Sequence, residues 1–288
     1  MKYTILPLIL MMFLAFSCQD QETEVKMDSE EEQLLQMISS EGKAMINHSF
    51  NDLNHHVSTV SVNNLSEFDS EEFAKKSVLE FVQNSEISRP HFQLIQSSLT
   101  FGSSEARPES LEADYTETEQ LYISKLTDTF DLLPDLTLFN ESIEDIKNEI
   151  ISEVTDEEVR MKLLTICVSS ATSANYLLEN EYEIISEFVE SATAANGRTE
   201  DCCFEGDLEW DWVEFGSAVV GAAAGSAARA WVINVLPGGG QAAYGTAVVG
   251  GAVAGAAGYT AVRFYQWMFS TGGTGSCDDQ VSFDCRQQ

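Results

Sequence analysis

Residues 215–269 read FGSAVVGAAAGSAARAWVINVLPGGGQAAYGTAVVGGAVAGAAGYTAVRFYQWMF, and this stretch decides the fold. Two apolar arms flank Pro237-Gly238-Gly239-Gly240, a strong turn signal. Each arm is about 20 residues or longer, and as a helix rising ~1.5 Å per residue it matches the ~30 Å of a bilayer's hydrocarbon. Small residues recur every four places, as Ser217, Gly221 and Gly225 in the first arm and Ala247, Gly251 and Gly255 in the second. Residues four apart share a helix face, and a face without side chains lets two backbones meet. The pattern therefore predicts a helical hairpin with those six residues at its seam.

Aromatic residues mark the ends of the arms. Trp210 and Trp212 precede the first, Trp231 sits near its far end with Tyr244 beyond the turn, and Tyr265 and Trp267 close the second. Rings so placed suit a membrane interface, which makes Trp212, Trp231, Tyr244 and Trp267 the expected interfacial residues. Arg229 and Arg263 lie toward the ends, where their heads can snorkel. Against insertion, the arms are rich in Ala and Gly, only weakly hydrophobic, and Gly lowers helix stability in water. Three readings stay open: a hairpin that enters a membrane, alone or as an oligomer; a soluble, tightly packed helical pair locked by disulfides and docked on the rest of the chain; or a self-associating or poorly ordered segment. By composition, residues 215–270 resemble pore-forming two-peptide bacteriocins and other glycine-zipper proteins. That resemblance implies membrane association or self-assembly.

Upstream the composition changes. The chain has 288 residues, with 47 Asp plus Glu against 15 Lys plus Arg, yet no acidic residue falls between Phe215 and Ser276. A net charge of −32 repels nucleic acid and anionic headgroups, so neither DNA nor RNA is an expected partner. Cys202, Cys203, Cys277 and Cys285 bracket the hairpin. In an exported protein they suggest two disulfides tying the segment's start to its end, since joining neighbours Cys202 and Cys203 needs a strained ring. Zinc is the rival reading, but no histidine lies near them and the spacing fits no familiar ligand pattern.

The N-terminus supplies the address. Lys2, an apolar run from Ile5 to Phe16 and the small Ser17 make a secretory signal too short to span a membrane. Leu14-Ala15-Phe16-Ser17-Cys18 resembles the lipobox of bacterial lipoproteins, with Leu14 one place early and Phe16 bulky. Relaxed boxes of this kind are similar to those of Bacteroidetes-type bacteria. The resemblance implies cleavage after Ser17, diacylation of Cys18 and a bilayer partner, with the protein held in the cell envelope at the outer membrane. The acid-rich Gln19-Asp20-Gln21-Glu22-Thr23-Glu24 that follows resembles the signal for the outer cell surface in some Bacteroidetes lipoproteins and reads equally as a solvated linker. Two acyl chains suffice for stable anchoring. The expected organisation is a signal peptide over 1–17, an acidic tether over 18–30, an acidic helical domain over 31–196 and the Cys-framed hairpin over 197–288.

Residues 31–196 read as helices with polar breaks. Leu34, Leu35, Ile38, Met45 and Ile46 form an apolar stripe at helical spacing. Asp69 opens a helix carrying Phe73, Val78, Leu79 and Val82. Further helices are predicted from Tyr115 to Leu133, from an Asn140 cap through Ile143, Ile146, Ile150 and Val154, and from Thr155-Asp156-Glu157-Glu158 onward. Strand signals are limited to Val57–Val62 and Leu94–Phe101. The expected fold class is all-α, an acidic helical bundle followed by a glycine-rich helical hairpin framed by disulfides.

Little in this body speaks of chemistry. There is no P-loop, dinucleotide fingerprint, nucleophile elbow or zinc-protease helix. His48, His55 and His56 read as a surface turn, and Cys167 reads as a small core residue. No catalytic residue, metal or cofactor is expected. The expected function is that of a non-catalytic envelope lipoprotein whose hairpin associates with membranes or self-assembles, bacteriocin-like. The alternative is a scaffold or binding lipoprotein with a soluble hairpin.

Overall fold

In a computed structural model, residues 27, 29–59, 68–86, 88–99, 115–195, 208, 210–234 and 240–270 are described. Among them there are only helices and connecting turns. They are α1 (Ser29–Thr59), α2 (Ser70–Asn84), α3 (Phe92–Ser98), α4 (Glu117–Thr129), α5 (Leu136–Glu153), α6 (Glu157–Ala195), α7 (Trp212–Asn234) and α8 (Gly240–Ser270), with short 3-10 turns at Arg89–His91 and Phe130–Leu132. The all-α class is thus established. Cys18, Cys202, Cys203, Cys277, Cys285 and the Pro237-Gly239 turn lie outside the described residues.

Helix starts follow side-chain chemistry. Asp69 accepts hydrogen bonds from the amides of Glu71 and Glu72, and Asp156 accepts one from Val159. Thr116 and Glu119 form a reciprocal capping box at the start of α4. The cap of α5 is not Asn140 but Asp135, whose carboxylate receives the amides of Thr137 and Leu138 at 3.1 Å each. Leu136 and Phe139 extend the apolar spacing of Ile143 and Ile146 one turn upstream, so the helix begins there. Asn140 instead sits within α5 and accepts a hydrogen bond from Asn175. The described parts of the two strand signals, residues 57–59 and 94–98, are helical for a tertiary reason. Val57 ends the buried stripe of α1, while Ile95 and Leu99 bury one face of the α3 turn, and this packing outweighs strand propensity.

The hairpin arms α7 and α8 run antiparallel, with Ala222 opposite Gly251 and Ala218 opposite Gly255. Around them the acidic helices form a sheath. α8 lies at the centre, packed against α1, α2 and α6 as well as α7, while α4 and the 3-10 turn at Phe130 close on α7 and α5 lies outside on α6. The apolar stripe of α1 is buried from Leu34 through Ile38, Met45, Ile46, Phe50 and Leu53 to Val57. Where α1 crosses α6 and α8, a β-carbon on Gly42 would stand 3.2 Å from Thr172 and 3.3 Å from Val249. That close approach explains the glycine.

Candidate functional site

The seam of the hairpin is built from small residues, as its four-residue spacing requires. A β-carbon on Gly251 would stand 2.5 Å from the Ala222 carbonyl oxygen and 2.8 Å from Ser226 Cβ. One on Gly255 would overlap the Ala218 carbonyl, 2.8 Å from its carbon and 3.1 Å from Val219 Cα. Ala247, on the same ridge, is fully buried. Gly251 and Gly255 of the second arm thus lie against the backbone of the first. On the first arm the ridge is displaced by one residue, to Ala218, Ala222 and Ser226. Of the residues predicted there, Ser217 and Gly221 are half-buried and Gly225 is buried. In an arm made of Ala, Gly and Ser, several faces are equally small, and residue size alone does not select the helix rotation.

The other faces of α8 meet large side chains of the sheath. A β-carbon on Gly245 would stand 2.8 Å from Ile38 of α1, and one on Gly250 2.9 Å from Leu99 and 3.1 Å from Val78 of α2. On α7, Gly216 receives the Phe130 ring in the same manner. These are knobs seated in glycine notches on several sides of the hairpin.

Rings cluster at both ends of the hairpin, as the sequence suggests. At one end Trp210 stacks on Trp212 with centroids 5.5 Å apart, and Phe215 stands edge-on to Tyr259. Trp210 also donates its indole N–H to Glu181 at 2.6 Å. At the other end Trp231 stands edge-on to Tyr244 at 5.2 Å. Tyr244 is fully buried, Trp267 is 7% exposed, and Trp212 and Trp231 are half-buried. Arg263 is held by its neighbours, with Nε donating to Tyr259 and a guanidinium nitrogen 2.8 Å from Glu214.

Two buried polar clusters escape sequence reasoning. Glu41 of α1 is 8% exposed, and its carboxylate accepts hydrogen bonds from Ser88 (2.5 Å), Ser85 (3.2 Å) and Thr246 of α8 (2.7 Å). Its signal was register, since Glu41 falls on the stripe of Leu34, Ile38 and Met45. The second cluster joins Lys162 of α6 to Glu119 of α4 at 2.8 Å, both nearly buried. The Lys162 ammonium also lies 5.5 Å from the Tyr115 ring centroid and 5.3 Å from that of Trp231, within cation–π reach. Tyr115 in turn donates to the carbonyl of Ala224 on α7. Burial pushes the Glu119 carboxyl up, but hydrogen bonds from Lys162 and from the Thr116 amide and hydroxyl outweigh it, leaving a net lowering.

An acidic cleft of about 450 Å³ opens beside this cluster, with Glu30, Glu31, Asp156, Glu157 and Glu158 on its walls and Trp231, Asn234 and Gln241 toward α7 and α8. Arg160 reaches Glu31 at 2.9 Å. Chemically the cleft favours a cationic group and holds no nucleophile. Cys167 is the cysteine among the described residues, buried in α6, with burial raising its thiol to about 12. Only the thiolate reacts, so Cys167 is expected to resist alkylation in the native chain and to label at the rate of unfolding. Peptide mapping after iodoacetamide pulses checks this, and fast native labelling would contradict it.

No protein-family model, no curated protein and no solved structure matches this chain.

Proposed function

We propose that this chain is a non-catalytic, lipid-anchored envelope protein, held through Cys18, in which the glycine-rich hairpin is the core of a soluble helical scaffold that serves an envelope partner. One observation carries the reading: the notches of α8 are filled on different sides by the sheath. Gly245 takes Ile38, Gly250 takes Leu99 and Val78, and Gly251 and Gly255 take the backbone of α7. A helix that is apolar all round belongs either in a protein core or in lipid. Lipid chains conform to any smooth surface and require no such matched notches. In α8 the notches meet particular side chains of α1 and α2, which is how a core helix is specified.

The sheath also accounts for the charge asymmetry. Apart from the buried Glu31 and Glu41, the acidic residues of α1, α2, α5 and α6 lie on outer faces, while α8 and the part of α7 beyond Glu214 carry none and are largely enclosed. Such a surface keeps the body away from anionic lipid headgroups and confines membrane attachment to the acylated Cys18.

Insertion of the hairpin is the second reading, favoured by one feature of α8. Its stretch Gly240–Trp267 has 28 residues and includes an 18-residue run of mean hydropathy 1.3, long and apolar enough to cross a bilayer, although 89% of that run is buried inside the protein. Core helices share this property.

Vesicle flotation separates the two. The mature chain with Cys18→Ser, which carries no acyl chains, is expected to remain in the soluble fraction with neutral and anionic vesicles alike. Flotation accompanied by dye leakage would transfer the function to the hairpin as a membrane element.

A further inference from the structure

We propose that His48, Asp52 and Glu80 bind one divalent transition-metal ion of the zinc class on the outer face of the α1–α2 pair. His48 and Asp52 stand four residues apart on α1, so their side chains project from one face one turn apart. Glu80 comes from α2, which packs across that face. The three sets of donor atoms lie within 4.8 Å of one another. An imidazole with two carboxylates suits zinc among divalent ions.

Distances within the cluster fit a shared ion. His48 Nε2 is 3.3 Å from Asp52 Oδ2. Two donors each at ~2.0–2.1 Å from one tetrahedral zinc stand about 3.3–3.4 Å apart, so this pair already has the separation of two ligands. The same nitrogen is shut off from solvent and makes no hydrogen bond, with the Asp52 carboxylate at ion-pair distance beside it. A buried imidazole nitrogen that makes no hydrogen bond is satisfied when it ligates a metal ion shared with the carboxylate beside it.

The surroundings support the ligands and leave a coordination position open. Ser77 donates to Asp52 Oδ2 at 2.6 Å, orienting the carboxylate as outer-sphere groups do in metal sites. The Phe81 ring, 5.9 Å from the His48 ring, covers one side. Lys76 is Glu80's present partner, 3.8 Å away with 75% of its side chain exposed, and so is free to swing aside. A cavity of about 160 Å³ lined by Asp52, His55 and Glu80 gives access for water or a fourth ligand, with His55 one turn beyond Asp52. His56 does not join, since its ring packs against those of Phe68 and Phe73. The run His48, His55, His56 therefore contributes His48, and the two carboxylates come from positions that sequence spacing does not single out.

The test is calorimetric titration of Zn²⁺ into the chelator-stripped mature chain with Cys18→Ser. Co²⁺ absorption is recorded alongside to detect thiolate ligands. Expected are one ion per chain, a Co²⁺ spectrum without a thiolate charge-transfer band, and a melting temperature that rises with Zn²⁺. His48→Ala and Glu80→Gln are each expected to weaken binding by at least about tenfold, the scale on which even outer-sphere substitutions act. Circular dichroism verifies the folding of both, and Glu80, with 47% of its side chain exposed, tolerates exchange even if His48 does not. Absence of Zn²⁺ binding by the parent, unchanged affinity in Glu80→Gln, or a thiolate band would each overturn the assignment.

Discussion

Leucine at Gly255 is expected to abolish folding, whereas alanine at Gly258, one turn along the same helix, is expected to raise stability. The two glycines differ only in what they face. At Gly255 a β-carbon would meet the Ala218 carbonyl and Val219 Cα, which are main-chain atoms of α7. Main chain cannot rotate away, so α7 and α8 would have to separate and the interface at Ala222 and Gly251 would open with them. Overpacking a core costs about 1–3 kcal/mol even where side chains can adjust. Separating two central helices costs several times that, against a total stability of about 5–15 kcal/mol. At Gly258 the nearest atoms, Ala74 Cβ and Ser70 O, stand at 3.8 Å, an ordinary contact. Removing a mid-helix glycine there gains about 0.5–1 kcal/mol. Soluble yield and thermal melts followed by circular dichroism read both effects. A Gly255→Leu chain that melts like the parent would refute the seam. Because Gly251 and Gly255 hold the two arms of the hairpin together, leucine substitutions at them do not report specifically on membrane activity.

Lys162→Met is the second large effect, expected to destabilise by about 3–5 kcal/mol. It leaves the Glu119 carboxylate, 3% exposed on its side chain, buried without its counter-ion. It also removes the cation from between Tyr115 and Trp231, where α4, α6 and α7 converge. Adding Glu119→Gln is expected to restore most of the loss. Glutamine keeps the capping box with Thr116 while the buried charge disappears. Chemical denaturation of the two single variants and the double variant gives the coupling directly. If Lys162→Met costs less than about 1 kcal/mol, the pair is not a buried one. The pH dependence follows with a definite sign. Glu119 has a folded-state pKa below its unfolded value of 4.5, so its contribution is fully present above that value. It is lost as pH falls through the lower, folded-state value. The parent's stability should therefore drop in acid below about 4.5, and the double variant should lose that component of the drop.

How far the site was legible differs from residue to residue. Gly251 and Gly255 were readable because glycine at four-residue spacing strips one face of a long apolar arm of its side chains. A bare face of that kind is stable only with another backbone against it. Their partners were not readable. Ser217 and Ala218, Gly221 and Ala222, and Gly225 and Ser226 are pairs of similar size, and the rotation of α7 depends on contacts that come from elsewhere. Phe130 against Gly216 is one such contact, drawn from a segment more than 80 residues upstream. Glu41 and Lys162 were hidden for another reason. In a chain with 47 carboxylates a single Glu carries little information, even though the register of Glu41 on its helix was visible. Asn140 lost the role of cap to Asp135 because the apolar spacing of α5 begins one turn earlier than Ile143 suggested.

By itself the sequence determined that this chain is helical. The stripe of α1, the cap at Asp69 and the glycine ridge of α8 are local consequences of side-chain size and hydrogen bonding, and they need no partner to be recognised. Only the tertiary structure decided where the hairpin goes. A helix apolar on every side satisfies its backbone hydrogen bonds internally and is at home in a protein core or in a bilayer, so its composition fits both. The choice is made by other helices. Ile38, Val78, Leu99 and Phe130 present side chains that fit the notches at Gly245, Gly250 and Gly216, and with those seated the hairpin lies at the centre of an acidic sheath.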